Sequence, residues 1–167
     1  MIEKLRGQVF KFGDNISTDH IIPGRYAHLR SNLHELVKHA MEDASPSFIR
    51  EVQVGDFIVA GSNFGLGSSR EHAPLVIKMA GVGAVIAKSV ARIFFRNAIN
   101  IGLPVLLCDT DQINNHDELE INLGKGIITN KSNSMTIAFR KMPTIMQDIL
   151  NDGGLIQYVQ KHGDFKL

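Results

Sequence analysis

Cysteine is almost missing from this chain: Cys108 stands alone among 167 residues. One thiol excludes an intrachain disulfide and cannot by itself build a Cys-ligated zinc or iron–sulfur site. Following the apolar run from Leu103 to Leu107, it reads as a small buried hydrophobe. An excess of charge is missing too. The formal net charge of +1 removes the electrostatic case for nucleic acid or an acidic membrane surface. No basic patch or aromatic stacking platform suggests RNA binding. No window approaches the ~20 uninterrupted apolar residues of a membrane-spanning helix, and the segment Met1 to Gly7 is too polar for a signal peptide. Internal repeats, low-complexity tracts and flexible linkers are also absent. With 44% apolar and 21% charged residues, the expectation is one ordinary globular domain over residues 1–167, soluble and cytoplasmic.

Hydropathy periodicity supplies the elements. Val9 to Phe12 predicts a strand ending at Gly13-Asp14-Asn15. Residues 16–32 show no period and read as ordered but irregular. Leu33, Leu36, Val37, Ala40 and Met41 recur at helical spacing, predicting an amphipathic helix over 33–43. Phe57 to Gly61 is a wholly apolar run, suited to a strand covered on both faces. A helix then carries Leu75, Val76, Met79 and Ala80 and stops at Gly81. Gly83 to Ala87 predicts another buried strand. Ser89 is a candidate cap for a helix holding Val90, Ile93 and Phe94, and Leu103 to Leu107 predicts a third apolar strand. This rhythm implies an α/β fold with a mainly parallel central sheet and flanking helices. Beyond it, Leu119 to Leu123 and Ile127 to Thr129 flank Gly124-Lys125-Gly126 as a C-terminal β-hairpin. Met135 to Phe139 is a further candidate strand. Helices are expected from Pro143 to Leu150 and over 155–159.

The most informative segment is Gly61-Ser62-Asn63-Phe64-Gly65-Leu66-Gly67-Ser68-Ser69-Arg70-Glu71-His72-Ala73-Pro74, between a buried strand and a helix start. Ligands in open α/β folds favour the crevice beyond the strand C-terminal ends. Gly65 and Gly67 permit unusual backbone angles and close approach. Ser68-x-x-Glu71 also fits a capping box, which would make Ser68 a helix start and nothing more. Pro74 argues against that. It would become the sixth helical residue, where a proline costs about 3 kcal/mol. A helix beginning near 71–73 leaves Ser68, Ser69 and Arg70 in the loop. The loop lacks a P-loop lysine, and position 70 lacks the third glycine of a dinucleotide fingerprint. Arg70 instead suits a carboxylate, which a guanidinium can hold bidentately.

Gly67-Ser68-Ser69-Arg70-Glu71-His72-Ala73-Pro74 resembles the signature of the mobile, swivelling β/β/α domain of aconitases and of isopropylmalate dehydratase small subunits. Two further blocks resemble the same family in the same order. They run from Gly13-Asp14-Asn15-Ile16-Ser17-Thr18-Asp19-His20 to Tyr26, and from Ala91-Arg92-Ile93-Phe94-Phe95-Arg96-Asn97 to Pro104. The resemblance implies a heteromeric hydro-lyase that moves a hydroxyl between neighbouring carbons by dehydration and rehydration, inactive without its large subunit. It further implies a [4Fe–4S] cluster carried by that large subunit, with no metal on this chain. Partnership as a heterodimer or heterotetramer and a di- or tricarboxylate substrate follow from the same likeness. By motif match Ser68 is the catalytic base, with Ser69 and Arg70 binding substrate. Asp19, Gly65, Gly67 and Glu71 support them. An Asx-turn is the plainer account of Asp19 and His20.

In this family the segment after Pro-x-Arg-Tyr reads the substrate's variable group. Here Leu29 suits an isopropyl group and Arg30 an extra carboxylate. Leucine synthesis, the commonest setting for separate small subunits, favours 3-isopropylmalate. Homoaconitate, methylmalate (citraconate) and dimethylmalate dehydratases remain alternatives, as does a stand-alone carboxylate-binding domain. The other histidines lack a metal-like spacing.

Overall fold

The computed structural model describes residues 4–163. Its strands form one sheet in the order β4-β3-β2-β1-β5-β6-β7. They are β1 (Lys4–Lys11), β2 (Phe57–Ala60), β3 (Ala84–Ala87), β4 (Val105–Leu107), β5 (Glu118–Asn122), β6 (Ile127–Asn130) and β7 (Met135–Ala138). The first four pair in parallel and the last three join antiparallel. The expected parallel sheet is therefore one half of a mixed sheet, and the expected hairpin is a three-stranded meander.

β1 is the hinge between the halves. Val9 to Lys11 pair in parallel with β2, while Lys4 to Gln8 pair antiparallel with β5. Periodicity predicts only residues 9–12 as strand, because Lys4-Leu5-Arg6-Gly7-Gln8 has little intrinsic strand preference. Pairing across the sheet supplies what the local sequence does not. Arg6 lies opposite Glu120 and its Nε donates to that carboxylate at 2.7 Å, a favourable cross-strand pair.

Side-chain alternation distributes each parallel strand between two cores. Phe10, Ile58, Ala60, Val85, Ala87 and Val105 face the helices and pack with Ile21, Leu36, Phe48, Val76, Ile77 and Phe94. Val9, Phe57, Val59, Ala84, Ile86 and Leu106 face the other way, onto Leu119, Ile121, Ile128 and Phe139. This two-sided burial explains why β2 and β3 are apolar at every position while β5 alternates. Cys108 packs half-buried on the second core, and burial pushes its thiol pKa up to about 11. It is therefore protonated and unreactive near neutral pH.

The helices are α1 (Thr18–Ile21), α2 (Leu33–Val37), α3 (Phe48–Glu51), α4 (His72–Met79), α5 (Arg92–Asn100), α6 (Thr144–Asn151) and α7 (Leu155–His162). Several differ from expectation. Residues 16–32 are not irregular: they hold α1 and a 3-10 helix over Gly24–Leu29. α2 stops at Val37 although its apolar period runs on, because Met41 takes a left-handed φ of 60° and donates its N–H to the Ile21 carbonyl. The period still reports burial, since Leu36, Ala40 and Met41 are all inside. α5 starts at Arg92 with no side-chain cap, and the Ser89 hydroxyl accepts from the Asn63 N–H instead. α4 starts at His72, within the 71–73 window that Pro74 requires.

Candidate functional site

Three loops leave the C-terminal ends of β1, β2 and β3 and lace together. The Gly65 N–H donates to the Ile16 carbonyl at 2.7 Å and the Thr18 N–H to the Leu66 carbonyl at 2.8 Å. On the other flank the Phe64 N–H donates to Ser89 and the Ala91 N–H to Phe64. The segment over 61–67 thus runs as an extra strand-like strap, bridged to Ser17 on one side and Val90 on the other. Its floor is Phe64, fully buried and set edge-on to Phe94 at 5.2 Å between ring centroids.

The bends in this strap are glycine-specific. Gly65 adopts φ +75°, and a Cβ there would lie 2.4 Å from the Phe94 ring. Gly67 adopts φ +112°, with Thr18 Oγ1 3.1 Å from where its Cβ would be. After the second bend the chain carries Ser68 and Ser69 into the open, and both are exposed. Ser68 Oγ lies 3.2 Å from Thr18 Oγ1, a hydroxyl on a residue that is itself buried. No capping box forms at Ser68: Glu71 precedes α4 and makes no side-chain bond to it. The capping box in this region belongs to Ser17, whose hydroxyl accepts from the His20 N–H while the His20 ring accepts from the Ser17 N–H. His20 therefore closes the start of α1 and leaves Asp19 pointing outward.

Asp19 and Arg70 meet across the two loops. Arg70 Nη1 donates to Asp19 Oδ1 at 2.7 Å and to the Ile22 carbonyl at 3.1 Å. The Arg70 side chain is only 21% exposed against 67% for Asp19, so the guanidinium is seated and the carboxylate steers it from outside. Nη2 and Nε have no acceptor among the described residues.

Beside this pair lies a recess of about 10 Å³ lined by Ile22, Pro23, Tyr26, Arg30, Arg70 and His72. That space admits about one water molecule. Leu29 packs half-buried against the helix-side core, whereas Arg30 stays exposed at the recess. The Tyr26 ring stacks on His39 at 3.7 Å and its hydroxyl donates to Glu42. Arg25 donates to both Asp43 and Glu42. Asp43 is held below the usual carboxyl range chiefly by Arg25, and Glu42 chiefly by its hydrogen bond with His39, with Tyr26 and Arg25 adding to it.

Ser68, Ser69, Arg70, Asp19, Gly65 and Gly67 are thus gathered on one rim, with Arg30 beside them. Leu29 faces inward, and the Glu71 side chain makes no hydrogen bond or ion pair among the described residues. Thr18 is the residue that sequence reasoning passed over. Its signal was present, in a polar residue followed by Asp19 in the first of the three blocks, but only the fold sets its hydroxyl against Ser68. Among the described residues no group of three or more His, Cys, Asp or Glu side chains is placed to hold a metal ion. No helix among the described residues is long and apolar enough to cross a membrane.

The chain's likenesses agree with this arrangement. The aconitase C-terminal domain family model matches residues 20–109. The 3-isopropylmalate dehydratase small subunit 2 of Archaeoglobus fulgidus is 62% identical over 164 residues, covering 98% of this chain and 99% of that one. The small subunit 1 of Thermotoga maritima is 57% identical, covering 96% and 98%. A solved 3-isopropylmalate dehydratase from Methanocaldococcus jannaschii superposes with a TM-score of 0.92 at 44% identity, over 96% of this chain and 95% of that one. With the loop strap, the Asp19–Arg70 pair and the mixed sheet all in place, the chain belongs to the aconitase C-terminal domain family, among the small subunits of the 3-isopropylmalate dehydratase type.

Proposed function

We propose that this chain is the small subunit of a two-part hydro-lyase that isomerises an isopropylmalate, removing water and returning it at the neighbouring carbon. The observation that carries this reading is the exposed Ser68 hydroxyl, set on a glycine-bent strap beside a guanidinium already oriented by Asp19. A substrate carboxylate pairs with Nη2 and Nε of Arg70, while Asp19 and Ile22 engage Nη1. Ser68, as its alkoxide, takes the carbon-bound proton. The electrons of that C–H bond become the double bond as the hydroxyl leaves the adjacent carbon as hydroxide, a net loss of water. In rehydration hydroxide adds to the carbon that lost the proton, and Ser68 returns its proton to the carbon that lost the hydroxyl. A serine hydroxyl is available as its oxyanion only where that anion is stabilised. The Thr18 hydroxyl can donate to it, and the Arg70 charge lowers its energy further. Ser69 offers a second hydroxyl to the bound acid.

The residues of this chain do not fit an iron–sulfur cluster, having a single half-buried cysteine. The [4Fe–4S] group of this chemistry is assigned to the large subunit, with cytoplasmic heteromers as the working form. Ser68→Ala in the complex co-expressed with the large subunit and assayed anaerobically should lower kcat by roughly 10²–10⁴-fold. Its circular dichroism and subunit affinity should be unchanged, and wild-type turnover in that variant refutes the assignment.

One observation favours a second reading. Arg30 and Arg70 line the same recess, and two guanidinium groups suit an extra carboxylate, as in homoaconitate. Arg30→Leu should then shift preference from tricarboxylates toward isopropylmalate. Unchanged relative kcat/KM for the two acids removes Arg30 from substrate selection.

A further inference from the structure

A second feature of the same sheet rim takes no part in the chemistry above. A cavity of about 410 Å³ opens beyond the C-terminal end of β4. Its walls are apolar, from Val90, Phe95, Leu107 and Met146, and its rim carries Arg92, Arg140 and Lys141. An adjoining hollow adds Ile93, 42% exposed, and Arg96. None of these four cations has a side-chain hydrogen bond or ion pair among the described residues. Elsewhere exposed cations are commonly matched: Arg6 with Glu120, Arg25 with Asp43, Lys88 with Asp111 and Lys161 with Asp152. Four unmatched cations around an apolar hollow, in a chain of net charge +1, form a local excess that an acidic partner would offset.

The location indicates which partner. Val90 lines the cavity and is bridged to Phe64 of the glycine strap, so cavity and strap share a wall. β2 and β4 are two strands apart, which places their ends about 10 Å from each other. A partner surface broad enough to span the strap, from the Thr18 flank that holds Ser68 to the Val90 flank, meets this hollow as well. The geometry points to the cavity over β4 and α5 as a docking socket for the large subunit, receiving an apolar anchor flanked by acidic side chains. This inference rests on the two-subunit reading above. Exposed arginines around an apolar pocket match the composition of protein-interface hot spots, and Met146 can adapt to the anchor's shape.

The test uses the full chain and its cognate large subunit, with affinity measured by titration calorimetry at 50 and 300 mM salt. Arg140→Glu/Lys141→Glu should weaken assembly at least tenfold at low salt and flatten its salt dependence. Lys125→Glu/Lys131→Glu, at exposed cations of the meander, should leave assembly within twofold. Circular dichroism checks that each variant folds. Met146→Ala, which leaves the charges in place, should weaken assembly by a similar factor at both salt concentrations. If the wild-type pair assembles and turns over while the socket variants bind within twofold of it, the socket is wrong and the dehydratase reading survives. If the wild-type chain neither binds nor activates the large subunit, both fall. Loss of self-association by the socket variants, with large-subunit affinity intact, assigns the cavity to a second copy of this chain and overturns the inference.

Discussion

At Gly65 a single missing methyl group holds the strap in place. Any other residue would carry its Cβ into the Phe94 ring while adopting a φ of +75°. Phe94 is 2% exposed and cannot yield. Gly65→Ala should therefore destabilise the chain by roughly 2–4 kcal/mol through backbone strain and overpacking together, seen as a lowered denaturant midpoint. A loss under 0.5 kcal/mol would mean that the strap relaxes freely, contrary to its bonds on both flanks. The same position shows what a sequence reveals at this scale. The glycines at 65 and 67 are visible as residues that permit a bend. That the bend abuts Phe94, twenty-nine positions later in the chain, is not. Thr18 repeats the lesson, since nothing local distinguishes a threonine that meets Ser68 from one that faces water.

Short helices do much of the positioning at the scale of elements. α1 has four residues and would not persist alone. It is held by the Ser17–His20 capping box and by the burial of Ile21. Its return is to project Asp19 toward Arg70. Asp19→Asn keeps the shape but removes the charge, leaving Arg70 less firmly aimed. KM for substrate should rise several-fold in the assembled enzyme, with a smaller change in kcat. If kcat falls and KM is unchanged, Asp19 acts on the chemical step and not by orienting the guanidinium. Pro74 shows an element boundary read correctly from covalent geometry. A ring that clashes with the preceding turn can sit only near a helix start, and α4 begins at His72. The extent of α2 could not be read that way, because a long-range bond from Met41 to Ile21 ends it.

For the molecule as a whole, stability should depend on pH in one direction. Glu42 is held below its ordinary pKa by a hydrogen bond with His39, Asp43 by Arg25, Glu120 by Arg6 and Asp152 by Lys161. A carboxylate whose pKa is lower in the folded state binds fewer protons there than in the unfolded chain. Its contribution is fully present above the ordinary values of 4.5 and 3.8 and disappears as pH falls through the depressed ones. Denaturant midpoints should thus be flat from pH 7 to about 5 and decline below about 4.5. The decline should shrink in high salt, since the cationic partners Arg6, Arg25 and Lys161 are exposed to screening ions. A midpoint that rises on acidification contradicts these pairings.

Composition, periodicity and three short blocks of residues determined the α/β class, the parallel strands, the start of α4 and the identity of the loop that holds Ser68 and Arg70. These are local or nearly local properties: an apolar strand, a proline's fixed φ, a glycine's freedom. The joining of the C-terminal hairpin onto β1, the strand character of residues 4–8, the Thr18–Ser68 contact, the Asp19–Arg70 pair and the cationic socket were decided only by tertiary structure. Each joins segments far apart in the chain, and the free energy that selects them comes from packing and pairing across that distance, which no window of sequence contains.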